Sequence, residues 1–382
     1  MLTLLKGGFN SDLHDRIFGE IKKRTDLGRP TLLIVPEQQT VTAESTAAEL
    51  LPPSAALCFE ATNFTRFANS VFRTLGGIAG EYCTRDKKRL IMWRALSELS
   101  PFLTMTRSGD ITAGMIDRAC SAVSELESHG ISPEELAEAA SFDSIKSNAR
   151  LGAKVDDLVK IATLYKSLLR EKYQDTEDDL TEAVDKLRAH PEYLHDTEIF
   201  IDGFSSFTEP QYRIIALLVE LCPVTMTLTL PRAERDAYEF TEIADTELRL
   251  IGIADRAGVD KKSLWADERY GARPALLYEA ERLMFKSDGC VSDDCRGGEI
   301  RIIEASTPYD EASFVAADIR RRVASGASFS DFAIVTRSID GDRGIIDAAL
   351  TDYGVPHYLS GRRSVDSFEA VKLIYTDRKS VV

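Results

Sequence analysis

The segment Ile199-Phe200-Ile201-Asp202-Gly203-Phe204 decides the fold of this chain. Its apolar, strand-forming residues predict a buried strand, and Asp202 follows at the carboxyl end of that strand. In nucleotide-hydrolysing α/β domains, this is where the carboxylate associated with Mg²⁺ lies. A catalytic glutamate normally follows that aspartate, but Gly203 stands in its place here. The segment therefore indicates an α/β fold of the nucleotide-binding type with an incomplete catalytic pair.

Other apolar runs of strand length lie on both sides of this segment, at residues 2–5, 31–35, 55–59 and 224–230. The first run leads through a glycine-containing turn into a predicted amphipathic helix at residues 12–23. The second run is almost wholly apolar, as expected for a strand covered on both faces of a parallel sheet. Alternating strands and helices of this kind predict a doubly wound α/β domain.

The pattern changes to helical periodicity from about residue 87 to about residue 189, which predicts an inserted all-helical subdomain. Ser132 and Pro133 form a typical helix start within it, with Ser132 as the cap. Residues 233–296 are charged and largely helical in pattern, and further strand signals lie at residues 299–304, 332–336 and 356–359. The predicted sheet domain consists of residues 1–86 and 190–297, with the helical insertion at residues 87–189 between its two parts. A second α/β unit is predicted at residues 298–376 and a non-native tail at residues 377–382.

Composition restricts the class of protein. Hydrophobic residues make up 44% of the 382 residues and charged residues 29%, which is typical of globular proteins with more than one domain. No apolar run reaches the length of a bilayer-spanning helix, so no membrane partner is expected and a cytoplasmic location is predicted. The net charge of −15 argues against a surface that wraps nucleic acid everywhere, but it permits a local basic strip.

Six scattered cysteines include no CxxC pair, so free thiols are predicted and no metal site is assigned. Cys290 and Cys295 are the closest pair, and they lack a nearby histidine or second pair to complete a zinc site.

A phosphate-binding loop is expected where the first strand leads into the first helix, and the segment there is Gly7-Gly8-Phe9-Asn10-Ser11-Asp12-Leu13-His14. The working pattern, G-x-x-x-x-G-K-[ST], supplies amides and a lysine to the phosphates and a hydroxyl to Mg²⁺. Here Asp12 replaces the second glycine, Leu13 the lysine and His14 the hydroxyl residue. By itself, this loop favours a turn without nucleotide function.

Several ordered segments resemble the AddB (RexB) subunit of bacterial AddAB helicase–nucleases and, more distantly, the UvrD-like superfamily 1 helicases. The similar segments are Leu33–Thr40, Thr62–Phe67 with Gly76 and Gly77, Ile201–Gln211, Phe332–Ser338, and Tyr353–Pro356 with Gly361. The resemblance covers essentially the whole chain. It implies a RecA-like parallel-sheet helicase domain with an inserted all-helical subdomain and the start of a second RecA-like domain.

The resemblance also implies roles for single residues around a nucleotide. Asp202 matches the Mg²⁺-associated aspartate and Gly203 replaces the glutamate, so no catalytic residue is assigned. The residues matching a degenerate nucleotide site are Gly7, Gly8, Asn10, Ser11, Gln211 and Arg337. Mg-ATP is the cofactor that such a site would take. The family's nuclease and iron–sulfur cluster lie near the C-terminus of a much longer chain, and no segment here resembles them.

For DNA, the resemblance points to loops that face a single strand, at Thr40, Thr62, Asn63, Phe64 and Arg66. Hydroxyl and amide groups bind phosphate, an aromatic ring stacks on a base, and arginine supplies charge. A structural role is an equal alternative for each residue, with Thr62 or Asn63 as a helix cap and Phe64 in the core.

The resemblance implies a role in DNA double-strand-break repair and recombination. The main hypothesis is an ATPase-inactive, helicase-like portion that binds and guides single-stranded DNA beside an AddA-type helicase–nuclease subunit. One alternative is an active ATP-dependent helicase or exonuclease subunit. The other is a non-catalytic interaction scaffold.

Overall fold

The computed structural model describes residues 1–77, 81–104, 111–142, 147–170, 173–174, 176–232, 235–266, 275–284 and 299–360, together with residues 369, 371 and 373. The chain divides into two compact units, Met1–Gly298 and Glu299–Val382. Cys290, Cys295, Gly361 and the predicted tail at 377–382 lie outside the described residues. The domain boundaries drawn within each unit from the sequence stay predictions.

The first unit contains, within the described residues, one six-stranded parallel sheet and a separate pair of short strands. Its strands are β1 (Leu2–Gly7), β2 (Thr31–Ile34), β3 (Phe59–Thr62), β4 (Glu81–Tyr82), β5 (Tyr173–Gln174), β6 (Glu198–Ile201), β7 (Val224–Thr229) and β8 (Lys261–Trp265). Six of these form a sheet in the order β3-β2-β6-β7-β1-β8, and β4 pairs with β5 separately. Every pairing is parallel, which confirms the predicted α/β class.

The helices of the first unit are α1 (Leu13–Thr25), α2 (Thr40–Leu50), α3 (Phe64–Leu75), α4 (Arg85–Leu99), α5 (Ala113–Ser128), α6 (Pro133–Ala140), α7 (Ala149–Arg170), α8 (Thr176–Ala189), α9 (Glu209–Leu221), α10 (Thr241–Ala257) and α11 (Ala275–Met284). The second unit contains α12 (Pro308–Ala324) and α13 (Ile339–Asp352). No helix in the part of the chain that the structure describes is long and apolar enough to span a membrane.

Helices cover both faces of the six-stranded sheet, because successive residues of a strand point to opposite sides. Ile199 and Ile201 pack in a core formed with α3, α8, α9 and α10, whereas Phe200 packs with α1 and α2 on the other face. All three side chains are essentially fully buried. The deciding segment is therefore a central strand, as its unbroken apolar sequence predicts.

A third apolar cluster lies entirely within residues 92–169 and joins α4, α5 and α7. It contains helical residues and Leu103 from a connecting segment, with Met92 and Ala95 fully buried. The predicted start of α6 is confirmed, since Ser132 and Glu135 form a reciprocal capping box with Pro133 at the first helical position.

Two strand predictions in the first unit were wrong in detail. Residues 53–57 form a 3-10 helix, and the strand β3 begins only at Phe59. The edge strand β8 lay in a region predicted as largely helical, because its first residues, Lys261, Lys262 and Ser263, are polar and exposed. An edge strand has one unpaired side in water, so its sequence lacks the apolar signal of a central strand.

In the second unit, α12 and α13 pack against each other through Ala316, Ile319, Leu350 and Val355. The segments 299–304, 332–336 and 356–359 were predicted as strands, but none of them is a strand among the described residues 299–360. A parallel strand exists only with a hydrogen-bonded neighbour, and such pairing is not a property of the local sequence. Here these segments do not pair with one another.

Candidate functional site

The carboxyl ends of β1, β6 and β7 meet at one edge of the sheet, because all its strands are parallel and β7 lies between the other two. Ligands of open α/β sheets bind outside this edge. A cavity of about 370 Å³ lies there, lined by Gly8, Phe9, Asp12, Leu13, His14, Gln39, Asp202, Gly203, Phe204, Thr227 and Thr229. The structure thus brings the first loop and the Asp202–Gly203 pair to one cavity.

The loop between β1 and α1 turns through Asp12, which has φ of 44° and ψ of 53°. This left-handed conformation suits the glycine of a phosphate loop, and aspartate is among the few other residues that tolerate it. Leu13, at the position of the phosphate-binding lysine, is buried. Gly7 lies against the buried side chain of Ser11. No lysine or arginine lies in the segment from Gly7 to His14.

Asp202 is buried, and both of its carboxylate oxygens have partners. His14 Nδ1 lies 2.6 Å from Asp202 Oδ2, and the Thr227 hydroxyl donates a hydrogen bond to Oδ1. The hydrogen bond with Asp202 raises the pKa of His14, against the opposing effect of burial. His14 and Thr227 thus engage both carboxylate oxygens of Asp202.

Gly203 has φ of +80°, a conformation that favours glycine. A Cβ atom placed on it would lie 2.5 Å from Gln39 Oε1 and 3.3 Å from Pro36 Cδ. A glutamate cannot be added here without moving Gln39 or the turn that follows β2. The positive φ favours glycine here, and a side chain at this position would displace the exposed Gln39 side chain.

Sequence analysis missed a buried ion pair at the end of β1. Lys6 contacts Glu247 of α10, and both side chains are at least 95% buried. Lys6 Nζ also lies 4.0 Å from the centre of the Trp265 ring, and Arg235 lies 2.8 Å from the other Glu247 oxygen. The only sequence signal is a charged residue inside an apolar strand. This lysine neutralises Glu247 and does not act as a phosphate-loop lysine.

Gln211 and Arg337 are the other two residues predicted near the nucleotide. Gln211 Oε1 accepts a hydrogen bond of 2.9 Å from the Thr208 amide, and so caps the first turn of α9. Arg337 belongs to the second unit, where it lines a cavity of about 350 Å³ together with Thr336 and Asp342. Within the described residues, no three His, Cys, Asp or Glu side chains cluster as possible metal ligands.

Among the residues predicted to face DNA, three polar side chains differ in exposure. Thr40 and Thr62 are each 1% exposed, and their hydroxyls bond to nearby carbonyl groups. The Arg66 side chain is 59% exposed and its guanidinium lies 3.9 Å from Glu44. Arg66 is therefore the predicted DNA residue that the described structure leaves most open to solvent.

Asn63 and Phe64 occupy the start of α3. Asn63 Oδ1 accepts a hydrogen bond of 2.9 Å from the Arg66 amide, so Asn63 is the helix cap. The Phe64 ring is buried and packs edge-on against Phe204 and Phe207, with ring centres 5.5 and 6.1 Å away. Both residues have the structural roles that were the alternative to DNA contact.

Comparison with known proteins places these features in a family. A family model described as "ADDB, N-terminal" matches residues 6–278 of this chain. The chain belongs to this family. The family match covers the six-stranded sheet except for the first four residues of β1, and it includes all residues that line the cavity. The ordered sequence segments predicted this family.

Individual relatives of the ADDB family are similar along nearly the whole chain. The B-type subunit of an ATP-dependent helicase/deoxyribonuclease from Alkaliphilus oremlandii is 27% identical over 368 residues, covering 94% of this chain and 32% of the relative. Proteins of the same name from Acetivibrio thermocellus and Pelotomaculum thermopropionicum are 26% and 27% identical, covering 93% of this chain and 32% and 31% of themselves. The chain thus spans about a third of the length of these relatives.

Proposed function

We propose that this chain is the helicase-like portion of a helicase–deoxyribonuclease subunit in DNA double-strand-break repair. It binds and guides single-stranded DNA and does not hydrolyse ATP, while an AddA-type partner subunit supplies the motor. The observation that carries the ATPase-inactive part is the pairing of Asp202 with His14 and Thr227. This pairing engages the carboxylate that would have to serve Mg²⁺.

The residues at the sheet edge do not fit Mg-ATP. Asp12 places a carboxylate in the loop, where it would repel a triphosphate, and Leu13 supplies no charge to compensate. Gly203 offers no carboxylate to orient an attacking water molecule. These separate losses all act against nucleotide hydrolysis, so an inactive site is favoured over an active one.

The DNA part of the proposal is supported by the names of the relatives, since helicases and deoxyribonucleases act on DNA. Arg66 is the residue on which it depends most directly. Its exposed ion pair with Glu44 is too long and too solvated to hold the guanidinium firmly. Arg66 is therefore available to contact a phosphate group of DNA. Because the protein has a net charge of −15, its DNA contacts must be local.

The first experiment measures binding of a fluorescent single-stranded oligonucleotide as a function of salt, with and without Mg-ATP. We expect affinity to fall as salt rises and to be independent of Mg-ATP. Replacing Arg66 with alanine should weaken binding and lower the slope of log K against log salt by about one.

Arg94→Ala is the matched control, because Arg94 pairs with Glu98 on α4 and its replacement removes the same charge. Equal losses of binding in the two variants would mean that Arg66 has no specific contact with DNA. Hydrolysis of ATP by the isolated chain, abolished by Asp202→Ala, would instead support the active-helicase alternative.

An interaction scaffold is the second candidate, and the burial of Thr40, Thr62 and Phe64 favours it. Side chains that cap helices or fill a core cannot also grip a DNA strand. On this alternative, the wild-type chain fails to bind the oligonucleotide even at low salt.

A further inference from the structure

The loop after β1 is in contact with a carboxylate from a distant part of the chain. Glu281 of α11 accepts hydrogen bonds from the backbone amides of Phe9 and Asn10, with Asn10 N 3.0 Å from Oε2. The Asn10 side-chain amide donates to the same oxygen and lies 3.5 Å from the Leu277 carbonyl. One carboxylate thus meets three N–H groups of the loop.

Gly8 makes this approach possible. A Cβ atom placed on Gly8 would overlap the Glu281 carboxylate, so any other residue at this position would push the carboxylate away. Asn10 is itself 93% buried, so its side-chain amide is held where it donates to Glu281. Consecutive backbone amides aimed at one anion form the same type of concavity that binds phosphate in nucleotide sites.

We infer that Glu281 is a built-in ligand of this loop. The chain fills the anion position of a degenerate phosphate loop with its own carboxylate, and phosphate or polyphosphate can bind there only by displacing α11. The inference rests on the ATPase-inactive part of the proposed function and names the group that occupies the loop in place of a nucleotide.

Charge explains why the internal ligand prevails. A single carboxylate is matched by three N–H donors, whereas a triphosphate brings several negative charges that require a cation as well. Lys6 is paired with Glu247, and Leu13 occupies the position of the usual lysine. Moreover, a phosphate entering beside Glu281 would meet its negative charge and that of Asp12.

The test uses the 382-residue chain and hydrogen–deuterium exchange, with pyrophosphate as the probe. In Glu281→Ala, we expect exchange at the Phe9 and Asn10 amides to accelerate about tenfold or more, since charge-assisted hydrogen bonds are lost. Pyrophosphate should then protect these amides in the variant and leave the wild type unchanged. Glu242→Ala, which removes an exposed carboxylate from α10, is the matched control and should behave as the wild type does.

A double-mutant cycle keeps the inference testable if Glu281→Ala perturbs folding. Glu281→Gln preserves the shape of the side chain, and Asn10→Ala removes the one side-chain donor among the three N–H groups. Each change should accelerate exchange in residues 275–284, and their effects should not add in the double variant. Additive effects, or unchanged exchange at Phe9 and Asn10 in Glu281→Ala, would overturn the inference.

Pyrophosphate protection of the wild type equal to that of Glu281→Ala would also overturn it. Oligonucleotide binding by the same proteins separates this outcome from that of the proposed function. Wild-type protein that fails to bind DNA while its exchange pattern follows the expected course would contradict DNA guiding and leave the built-in ligand in place.

Discussion

At the scale of single residues, the sheet edge shows how a buried carboxylate is satisfied within the protein. Asp202 remains at the carboxyl end of a central strand, where its buried charge requires partners. His14 and Thr227 provide them, so the carboxylate is satisfied within the protein. Gly203 follows with a positive φ, and a Cβ atom there would contact the Gln39 side chain.

The environment of Gly203 gives a prediction in which Gly28 serves as the comparison. Gly203→Ala should destabilise the protein by more than Gly28→Ala, measured as shifts of the urea unfolding midpoint. Both glycines have positive φ, which costs an alanine about 1–2 kcal/mol, but a Cβ atom at Gly28 meets no atom within 4 Å.

The excess cost at Gly203 should fall when Gln39 is also replaced by alanine. Equal effects of Gly203→Ala and Gly28→Ala would mean that contact with Gln39 is unimportant and that only backbone strain matters.

At the scale of elements, the start of α3 contains a residue, Asn63, for which two roles were predicted. Asn63 was predicted from resemblance as a DNA contact and from local pattern as a helix cap. Its Oδ1 is bonded to the Arg66 amide, and this bond satisfies a donor that the first helical turn would otherwise leave free. The cap also fixes the direction in which α3, and with it Arg66, leaves the sheet edge.

Substitutions at this cap separate stability from DNA binding. Asn63→Ala should lower the free energy of unfolding by about 1 kcal/mol, whereas Asn63→Asp should keep it near the wild-type value, because aspartate caps equally well. Urea denaturation followed by circular dichroism measures both changes.

If Asn63→Asp matches the wild type in stability and still binds DNA less well, the added negative charge is near the DNA path. A stability loss in Asn63→Asp as large as that in Asn63→Ala would contradict the capping role.

At the scale of the whole molecule, the two units differ in how far their apolar side chains are buried. The sheet of the first unit buries its apolar side chains on both faces. In the second unit, the segments predicted as strands leave large apolar side chains in solvent, with Ile302 98% and Val335 93% exposed. Exposed apolar residues beside unpaired backbone favour association with another chain.

Self-association of the chain should therefore depend on the second unit. We expect multi-angle light scattering to show species larger than the monomer at high protein concentration. The double variant Ile302→Lys with Val335→Lys should reduce them.

Leu57→Lys is the control, since Leu57 is 94% exposed in the first unit and lies next to a paired strand. A wild-type chain that is monodisperse and monomeric at all concentrations would contradict this prediction.

The α/β class and the central strands could be predicted from the local sequence. Central strands such as β6 are buried on both faces, so their sequence is an unbroken apolar run. A short stretch of sequence is therefore enough to predict them. The loop after β1 and the Asp202–Gly203 pair were found in the same way, because each lies directly after a recognisable strand. The edge strand β8 was missed because water on one side permits a polar sequence.

Only the tertiary structure decided which groups meet at the sheet edge. His14 and Asp202 are 188 residues apart, and Asn10 and Glu281 are 271 residues apart. Strand order and helix packing bring such pairs together. The local periodicity of apolar residues indicates which residues are buried, but it indicates neither strand order nor helix packing. The partners of Asp202 and of the Phe9 and Asn10 amides are therefore a consequence of the fold.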